Sequence, residues 1–245
     1  MRFKENFLRL LFPQVRCLAC DEPRMIDEGA ALCDHCAADL LSLRVRDGVC
    51  PHCLSPLHGG DPCRYCAQGG MAYLAAAYSP FHYHGAVQRL VVQLKFNGIY
   101  LASIPLTEGM LDCLDGRHFD CMVPVPLHRS RLRQRGFNQS ALLCERMGQT
   151  SGLKTIDALE RLRNTKRQSS LPHEKRQANV KGSFRVVLPV KDLSILLVDD
   201  VRTTGHTARA CAKALAEAGA KDVCLLTTSI AAAYSQSSVT PVANA

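Results

Sequence analysis

The chain has 245 residues, 47% of them hydrophobic and 21% charged, with a net charge of +8. This length allows one full core plus a small appendage, and the composition excludes a fibrous or largely disordered chain. The charge is uneven: residues 129–185 hold fourteen Lys and Arg against Glu145, Asp157, Glu160 and Glu174, a local excess of +10 that leaves the remainder at −2. Such a segment is either a solvated face or a site for phosphates, in a small molecule or along a nucleic-acid backbone.

The opening stretch, MRFKENFLRLLFP, is basic, but its apolar run is broken by Arg9 and ends at Pro13, too short for a signal segment or a membrane span. The expectation is a cytoplasmic protein with no membrane span and a short helix at this end. Eight of the thirteen cysteines then fall into four equal spacings: Cys17 with Cys20, Cys33 with Cys36, Cys50 with Cys53, and Cys63 with Cys66. A Cys-x-x-Cys turn aims two thiolates at one ion, and two such turns complete a site of four. The reading is two structural zinc ions, closed to catalysis; an iron-sulfur cluster is the other group four cysteines can hold. Disulfides are disfavoured without a secretory signal. Pairing in sequence order (17, 20, 33, 36, then 50, 53, 63, 66) closes the shortest loops, and an interleaved arrangement stays open. With few large apolar residues between the ligands, metal supplies the folding energy of this segment. Loss of Cys50 should therefore loosen the ribbon and spare the rest. His35, His52 and His58 are read as bystanders, and Cys113, Cys121, Cys144, Cys211 and Cys224 as small core residues.

Glycine pairs at 59–60 and 69–70 bracket the last cysteines, and the composition then shifts to Ala, Tyr, Val and Leu, which puts a boundary near Gly70. An apolar run follows at 72–83, then Val87, Leu90, Val91 and Leu94 at helical spacing and a strand-like CMVPVP at 121–126. A helix starts near Asn138, a good N-cap, carries Leu142, Leu143 and Met147 on one side and stops before Gly152. Next come a strand at 194–198, a helix at 207–218 with Gly219 at its end, and a strand at 222–228. Alternating strands and helices predict an α/β fold, a parallel sheet flanked by helices on both faces. The divisions are 1–70, 71–232, and a tail at 233–245 that reads as disordered.

The stretch ILLVDDVRTTGHTARA, residues 195–210, is the most specific part of the chain. In such a sheet ligands bind beyond the carboxyl ends of the strands. Thr203, Thr204, Gly205, His206 and Thr207 offer hydroxyls, close backbone approach and free N–H groups at a helix start, which suit a phosphate monoester. Asp199 and Asp200 need a different partner, and the adjacent hydroxyls of a ribose fit a carboxylate. The chemistry points to a ribose 5-phosphate, with a phosphate-bound Mg2+ nearby. A purely structural role in capping the helix would explain one aspartate, not two aspartates with three threonines. No P-loop sequence is present, and no G-x-G-x-x-G follows a strand.

LLVDDVRTTGHT resembles the phosphoribosyl pyrophosphate (PRPP) signature of type I phosphoribosyltransferases. The whole chain, through the cysteine pairs, VPVPLHRSRLRQRGFNQS at 123–140 and LRNTKRQSSLPHEKRQANVKGSF at 162–184, resembles the ComF family, known also through the GntX-type DNA-utilisation proteins. The resemblance implies a double zinc ribbon before a type I phosphoribosyltransferase-like domain. It implies that Asp199 and Asp200 hold the ribose hydroxyls and that residues 203–207 cradle the 5-phosphate. It makes Pro124, Val125, Pro126, Leu127, His128 and Arg129 the pyrophosphate loop, with a cis peptide there, and Arg131 an added contact. Residues 163–170, with Arg163, Lys166 and Arg167, match the mobile catalytic loop, which would steady departing pyrophosphate. No segment clearly reads a nucleobase; the first half of the chain, where acceptor specificity is expected, holds the zinc ribbons and the helix with Lys95 and Phe96 instead.

Two functions follow from the resemblance. One is the handling of single-stranded DNA during natural transformation, alongside competence or DNA-processing proteins and with PRPP as regulator. On the residues themselves, Arg129, Arg131, Arg133, Arg135, Arg163, Lys166 and Arg167 can track the backbone and Phe137 can stack on a base, although only 6% of residues are aromatic and Trp is absent. The other is Mg2+-dependent transfer of phosphoribose to a base or amine.

Overall fold

The computed structural model describes residues 15–24, 31–57, 62–114, 116–163 and 182–231. The expected N-terminal helix, His58, Lys166, Arg167 and the tail at 233–245 lie outside these residues. Strands β1 (Val15–Arg16) and β2 (Pro23–Arg24) pair antiparallel, and helix α1 (Asp34–Ser42) starts at Cys33, whose sulfur accepts the N–H of Cys36. A single helical turn, α2 (Arg64–Ala67), starts after Cys63 and carries Cys66.

The apolar run at 72–83 is two short strands, β3 (Ala76–Tyr78) and β4 (Phe81–His82), separated by Ser79 and Pro80. Helix α3 (Gly85–Phe96), a 3-10 turn (Tyr100–Ala102) and helix α4 (Ser103–Asp112) lead to β5 (Cys121–Pro124). After α5 (Arg129–Arg135) and α6 (Gln139–Ser151), the antiparallel pair β6 (Leu159–Arg161) and β7 (Phe184–Val186) precedes β8 (Ser194–Arg202), α7 (His206–Glu217) and β9 (Asp222–Ile230). The sheet is parallel, in the order β3–β9–β8–β5, with β4 continuing along β9.

Strand alternation decides what packs where, because successive side chains leave opposite faces. Met122, Leu196, Val198, Cys224 and Leu226 join α3, α4 and α6 through Leu90, Leu94, Leu106, Met110, Leu143 and Met147. Cys121, Val123, Ile195, Leu197, Val223 and Leu225 join α7 through Ala208, Cys211, Ala212 and Leu215. The middles of the central strands, 195–198 and 223–226, are therefore apolar at every position, as strands covered on both sides must be. Cys121, Cys144, Cys211 and Cys224 are core residues as expected, while Cys113 is only half-buried.

The strands outrun the sequence reading. Pairing of β8 with β9 continues through Asp199 to Thr227, Val201 to Ser229 and Arg202 to Ile230, so the two aspartates lie within β8. The ends of α6 follow local chemistry: the Asn138 carboxamide accepts the N–H of Ser140, and Gly152 closes the helix at φ 73°.

The cysteine-rich segment does not sit apart from the sheet. Cys17, Ala19, Leu32, Cys36 and Leu43 belong to the core on the α3 side, and Cys50 and Cys53 to the core on the α7 side. The backbone joins as well: His82 N–H donates to Leu43 at 2.8 Å, and Ala77 N–H donates to His52 at 3.0 Å.

Candidate cysteine centres and ligand pocket

The eight cysteines form two groups, Cys17 with Cys20, Cys33 and Cys36, and Cys50 with Cys53, Cys63 and Cys66, the sulfurs of each within 4.8 Å of one another. Four thiolates about 2.3 Å from one zinc ion in a tetrahedron stand about 3.8 Å apart. The separations are 3.7 Å for Cys20 to Cys33, 3.8 Å for Cys50 to Cys66 and 3.4 Å for Cys53 to Cys63. These are far longer than a disulfide and suit a single ion enclosed by four sulfurs. Pairing in sequence order holds, and His35 and His52 belong to neither group. Burial opposes ionisation of Cys17, but the N–H groups of Cys20, Cys33 and Ala19 outweigh it and bring the thiol down to about 6. Burial and the neighbouring sulfurs push Cys36 up to about 12. Four thiolates this close need a cation, and the donor set fits two structural zinc ions.

Beyond the ends of β5 and β8 lies a cavity of about 580 Å3, within the usual range for small-ligand sites. It brings together Val125, Pro126, Leu127, Arg131, Arg135 and Phe137 from one part of the chain and Asp199, Asp200, Thr203, Gly205, His206 and Thr207 from another. Pro124, His128, Arg129, Arg133, Arg163 and Thr204 do not line it. Pro124 is the last residue of β5, and the His128 ring accepts the N–H of Ser130 as the cap of α5. Arg129 is paired with Glu160 at 2.8 Å. The peptide bonds at 124–129 are all trans, which corrects the expected cis bond.

The aspartates occupy different surroundings because consecutive strand residues face opposite ways. Asp200 Oδ2 meets the ammonium of Lys95, from α3, at 2.9 Å. Asp199 Oδ1 accepts from the Ser140 hydroxyl at 3.2 Å and from Asp200 N–H at 2.9 Å. Burial and the Asp200 charge push the Asp199 carboxyl up to about 7, against the opposing effects of that N–H, Lys95 and Ser140. Asp199 is half-buried on the cavity lining. Asn138 Nδ2 donates to the Val125 carbonyl at 3.1 Å and so fixes the 125–138 wall on itself, while the Ser140–Asp199 bond joins that wall to β8.

Residues 203–207 turn from β8 into α7, and Gly205 caps that helix at φ 70°. Thr203, Gly205, His206 and Thr207 line the cavity at the N-terminus of α7, where the first backbone N–H groups of a helix lack intrahelical partners and favour an anion.

Sequence reasoning passed over four cavity residues. Lys95 was noted only as part of a helix, although KF at a helix end beside an acidic strand end hints at an ion pair. Arg161 is 8% exposed and lines the cavity; burial and Arg131 lower its pKa, while Asp199 supports its charge. Gln139 is 1% exposed and lines the cavity, and its Nε2 has no hydrogen-bond partner among the described residues. Ser140, which holds Asp199, is the fourth. At the rim, Phe137 meets Tyr100 edge-on at 4.7 Å and Arg135 lies 5.4 Å from the centre of the exposed Phe96 ring.

Residues 7–67 match the double zinc ribbon domain family. The chain is 34% identical over 216 residues to the DNA utilization protein YhgH of Salmonella typhimurium, covering 84% of this chain and 93% of that protein. It is 30% identical to competence protein ComFC of Streptococcus pneumoniae (80% and 86% covered) and 24% identical to competence protein F of Haemophilus influenzae (78% and 93% covered). Among solved structures it is similar to glutamine PRPP amidotransferase from B. subtilis, at 22% identity and a TM-score of 0.38, over 53% of this chain and only 26% of that one. It is also similar to a purine phosphoribosyltransferase from Pyrococcus horikoshii, at 15% identity and a TM-score of 0.32, over 62% and 96% of the two chains. Among the described residues no helix is long and apolar enough to cross a membrane. With a third of its residues shared across nearly the whole of the YhgH protein, this chain belongs to the family of the DNA utilization protein YhgH and the ComF competence proteins.

Proposed function

We propose that the chain binds PRPP with Mg2+ in the cavity and uses that site in handling single-stranded DNA, alongside competence or DNA-processing proteins. The observation that carries the PRPP reading is the shared wall of the cavity: Asp199 and Asp200 from β8 stand beside the turn at 203–207. Carboxylates repel a phosphate, so one ligand served by both must present hydroxyls to the aspartates and an anion to the turn, as a ribose 5-phosphate does. Arg131, Arg161 and the unpaired Gln139 amide supply donors for a second anionic group, the pyrophosphate, next to the backbone at 125–127. Mg2+ held between the aspartates and the diphosphate would neutralise part of that charge.

The DNA reading draws on what the relatives' names say of them, DNA utilization and competence. It also draws on the rim, where Arg131 and Arg135 line the cavity, Arg135 lies over the Phe96 ring and Tyr100 meets Phe137, cations and aromatic rings of the kind that bind unpaired bases, with Arg133 on the same helix. In this proposal residues 1–70 are the zinc-bearing unit, residues 71–232 the ligand-binding unit, and the protein works in the cytoplasm.

One observation favours the enzymatic alternative, a transfer of phosphoribose that releases pyrophosphate. The buried cation of Arg161 faces the same space as Asp199, and Arg163 begins the segment, with Lys166 and Arg167, that would close on it. Calorimetric titration with Mg-PRPP, with and without a single-stranded oligonucleotide, tests the proposal, followed by an assay for pyrophosphate. Binding without release, altered by DNA, supports a ligand-sensing DNA-handling protein; release on addition of a base or amine makes it a transferase; no binding of PRPP overturns both.

A further inference from the structure

We propose that the second cysteine centre (Cys50, Cys53, Cys63, Cys66) braces the phosphate turn at 203–207, with Tyr65, Arg202 and Arg209 as positioning residues, so that metal in the ribbon and anion in the cavity are linked. This rests on the reading of that turn as the 5-phosphate site. Tyr65 lies between two of the ligand cysteines, and its hydroxyl donates to the Thr204 carbonyl at 3.1 Å. Arg202, the last residue of β8 and 5% exposed, donates to the carbonyl of Cys53 and holds its guanidinium 5.3 Å from the centre of the Tyr65 ring. Arg209, in the first turn of α7, donates to the Gly69 carbonyl at 3.1 Å. The turn is thus gripped before, within and after its anion-facing N–H groups.

The fit is close. A Cβ built on Gly205 would stand 2.3 Å from the Tyr65 hydroxyl, and one on Gly70 would stand 2.4 Å from the Tyr65 ring. The ring is therefore wedged between the ribbon backbone and the turn. A phosphate cradle works only if its N–H groups are aimed beforehand, since ordering them on binding weakens affinity. The metal fixes α2, α2 fixes Tyr65, and Tyr65 fixes Thr204. The reverse coupling follows from linkage: anion in the turn tightens the ribbon by the same factor.

The first centre is attached elsewhere. Cys36 and Asp39 meet Arg89 of α3, and Asp39 Oδ2 also accepts the N–H of Ala86 at 2.7 Å, capping the helix that carries Lys95. On this proposal loss of a second-centre ligand disturbs the cavity instead of sparing it, because Tyr65, Arg202 and Arg209 join the cysteine-rich segment to the turn.

The test compares full-length Tyr65→Phe, Cys63→Ser and Cys20→Ser with the unaltered chain. Readouts are zinc content, amide exchange at 203–207 in the ligand-free protein, and affinity for ribose 5-phosphate. Tyr65→Phe should keep both zinc ions while exchange in the turn quickens, and affinity weakens, by roughly three- to ten-fold, the effect of one hydrogen bond. Cys63→Ser should loosen the turn further, and Cys20→Ser should leave it unchanged. Unaltered exchange at 203–207 in Tyr65→Phe overturns the proposal even if Cys63→Ser fails to fold. Failure of the unaltered chain to bind ribose 5-phosphate removes the phosphate reading alone, because the exchange comparison still decides whether the ribbon braces the turn.

Discussion

Lys95 Nζ lies 2.9 Å from Asp200 Oδ2, and the two side chains are only 19% and 15% exposed, so this cavity-lining carboxylate already holds a cation, supplied by α3. Removing that cation leaves Asp200 partly buried beside Asp199 with nothing to offset it. Lys95→Met should lower stability by about 1–3 kcal/mol at pH 8, measured by denaturant titration. The loss should shrink at pH 5, where Asp199 is protonated and no longer adds to the repulsion. An equal loss at both pH values would show that the aspartates do not act as a coupled pair.

Asp199 gives a pH dependence with a definite sign. Its folded pKa is raised to about 7, above the ordinary 3.8, mainly by burial and then by Asp200. Between those values the folded chain holds a proton that the unfolded chain has lost, so this group's contribution is fullest below about pH 4 and is lost as pH rises through 7. Asp199→Asn should therefore gain about 0.5–2 kcal/mol of stability at pH 8, with little gain at pH 4. Ribose binding should fall by at least ten-fold, because a carboxamide offers one acceptor oxygen where the carboxylate offers two. In the unaltered chain, affinity for Mg-PRPP should rise as pH increases through about 7. A flat profile from pH 6 to 8 would remove Asp199 from the site.

How much of this could be read beforehand depends on the range of each interaction. The cysteine groups were legible because Cys-x-x-Cys is a local pattern set by the reach of two thiolates. The ends of α6 were legible because Asn138 and Gly152 act on their own backbone. Asp199, Asp200 and the turn at 203–207 stood together in one stretch, so the chemistry of a sugar phosphate could be argued from their types alone. The contacts that complete the site were not legible. Tyr65 and Thr204 are 139 residues apart, and Arg202 and Cys53 are 149 apart. Arg161 sits in a three-residue strand too short to show a period. The length of β8 was underestimated for a related reason: two aspartates look like a strand end, and only the parallel partner β9 explains why pairing continues.

Metal removal distinguishes an appended ribbon from an integrated one. Cys17 and Cys36 share a core with α3, and Cys50 and Cys53 share one with α7, so chelation should lower the midpoint of the whole thermal transition rather than abolish a separate small one. Elemental analysis should first give two zinc ions per chain. A sheet that melts at an unchanged temperature after both ions are removed would contradict this integration.

Salt dependence tests the DNA reading through two kinds of residue that should respond differently. Arg131 and Arg135 both line the cavity mouth, four residues apart on one helix face, beside the exposed rings of Phe96 and Tyr100. If a strand crosses this rim, affinity for an oligo-dT should fall steeply with salt, with a slope of about −0.7 for each phosphate neutralised. Arg131→Ala should reduce that slope by about 0.7. Phe96→Ala should weaken binding by about 1–3 kcal/mol and leave the slope alone, because stacking releases no counterions. Arg131 also lines the cavity proposed for PRPP, so saturating PRPP should shift oligo-dT affinity in the unaltered chain, and less in Arg131→Ala. Filter binding or fluorescence anisotropy at several salt concentrations measures all four quantities. Oligo-dT affinity that is absent at low salt would end the DNA reading, whereas a salt slope untouched by Arg131→Ala would move the strand away from this rim.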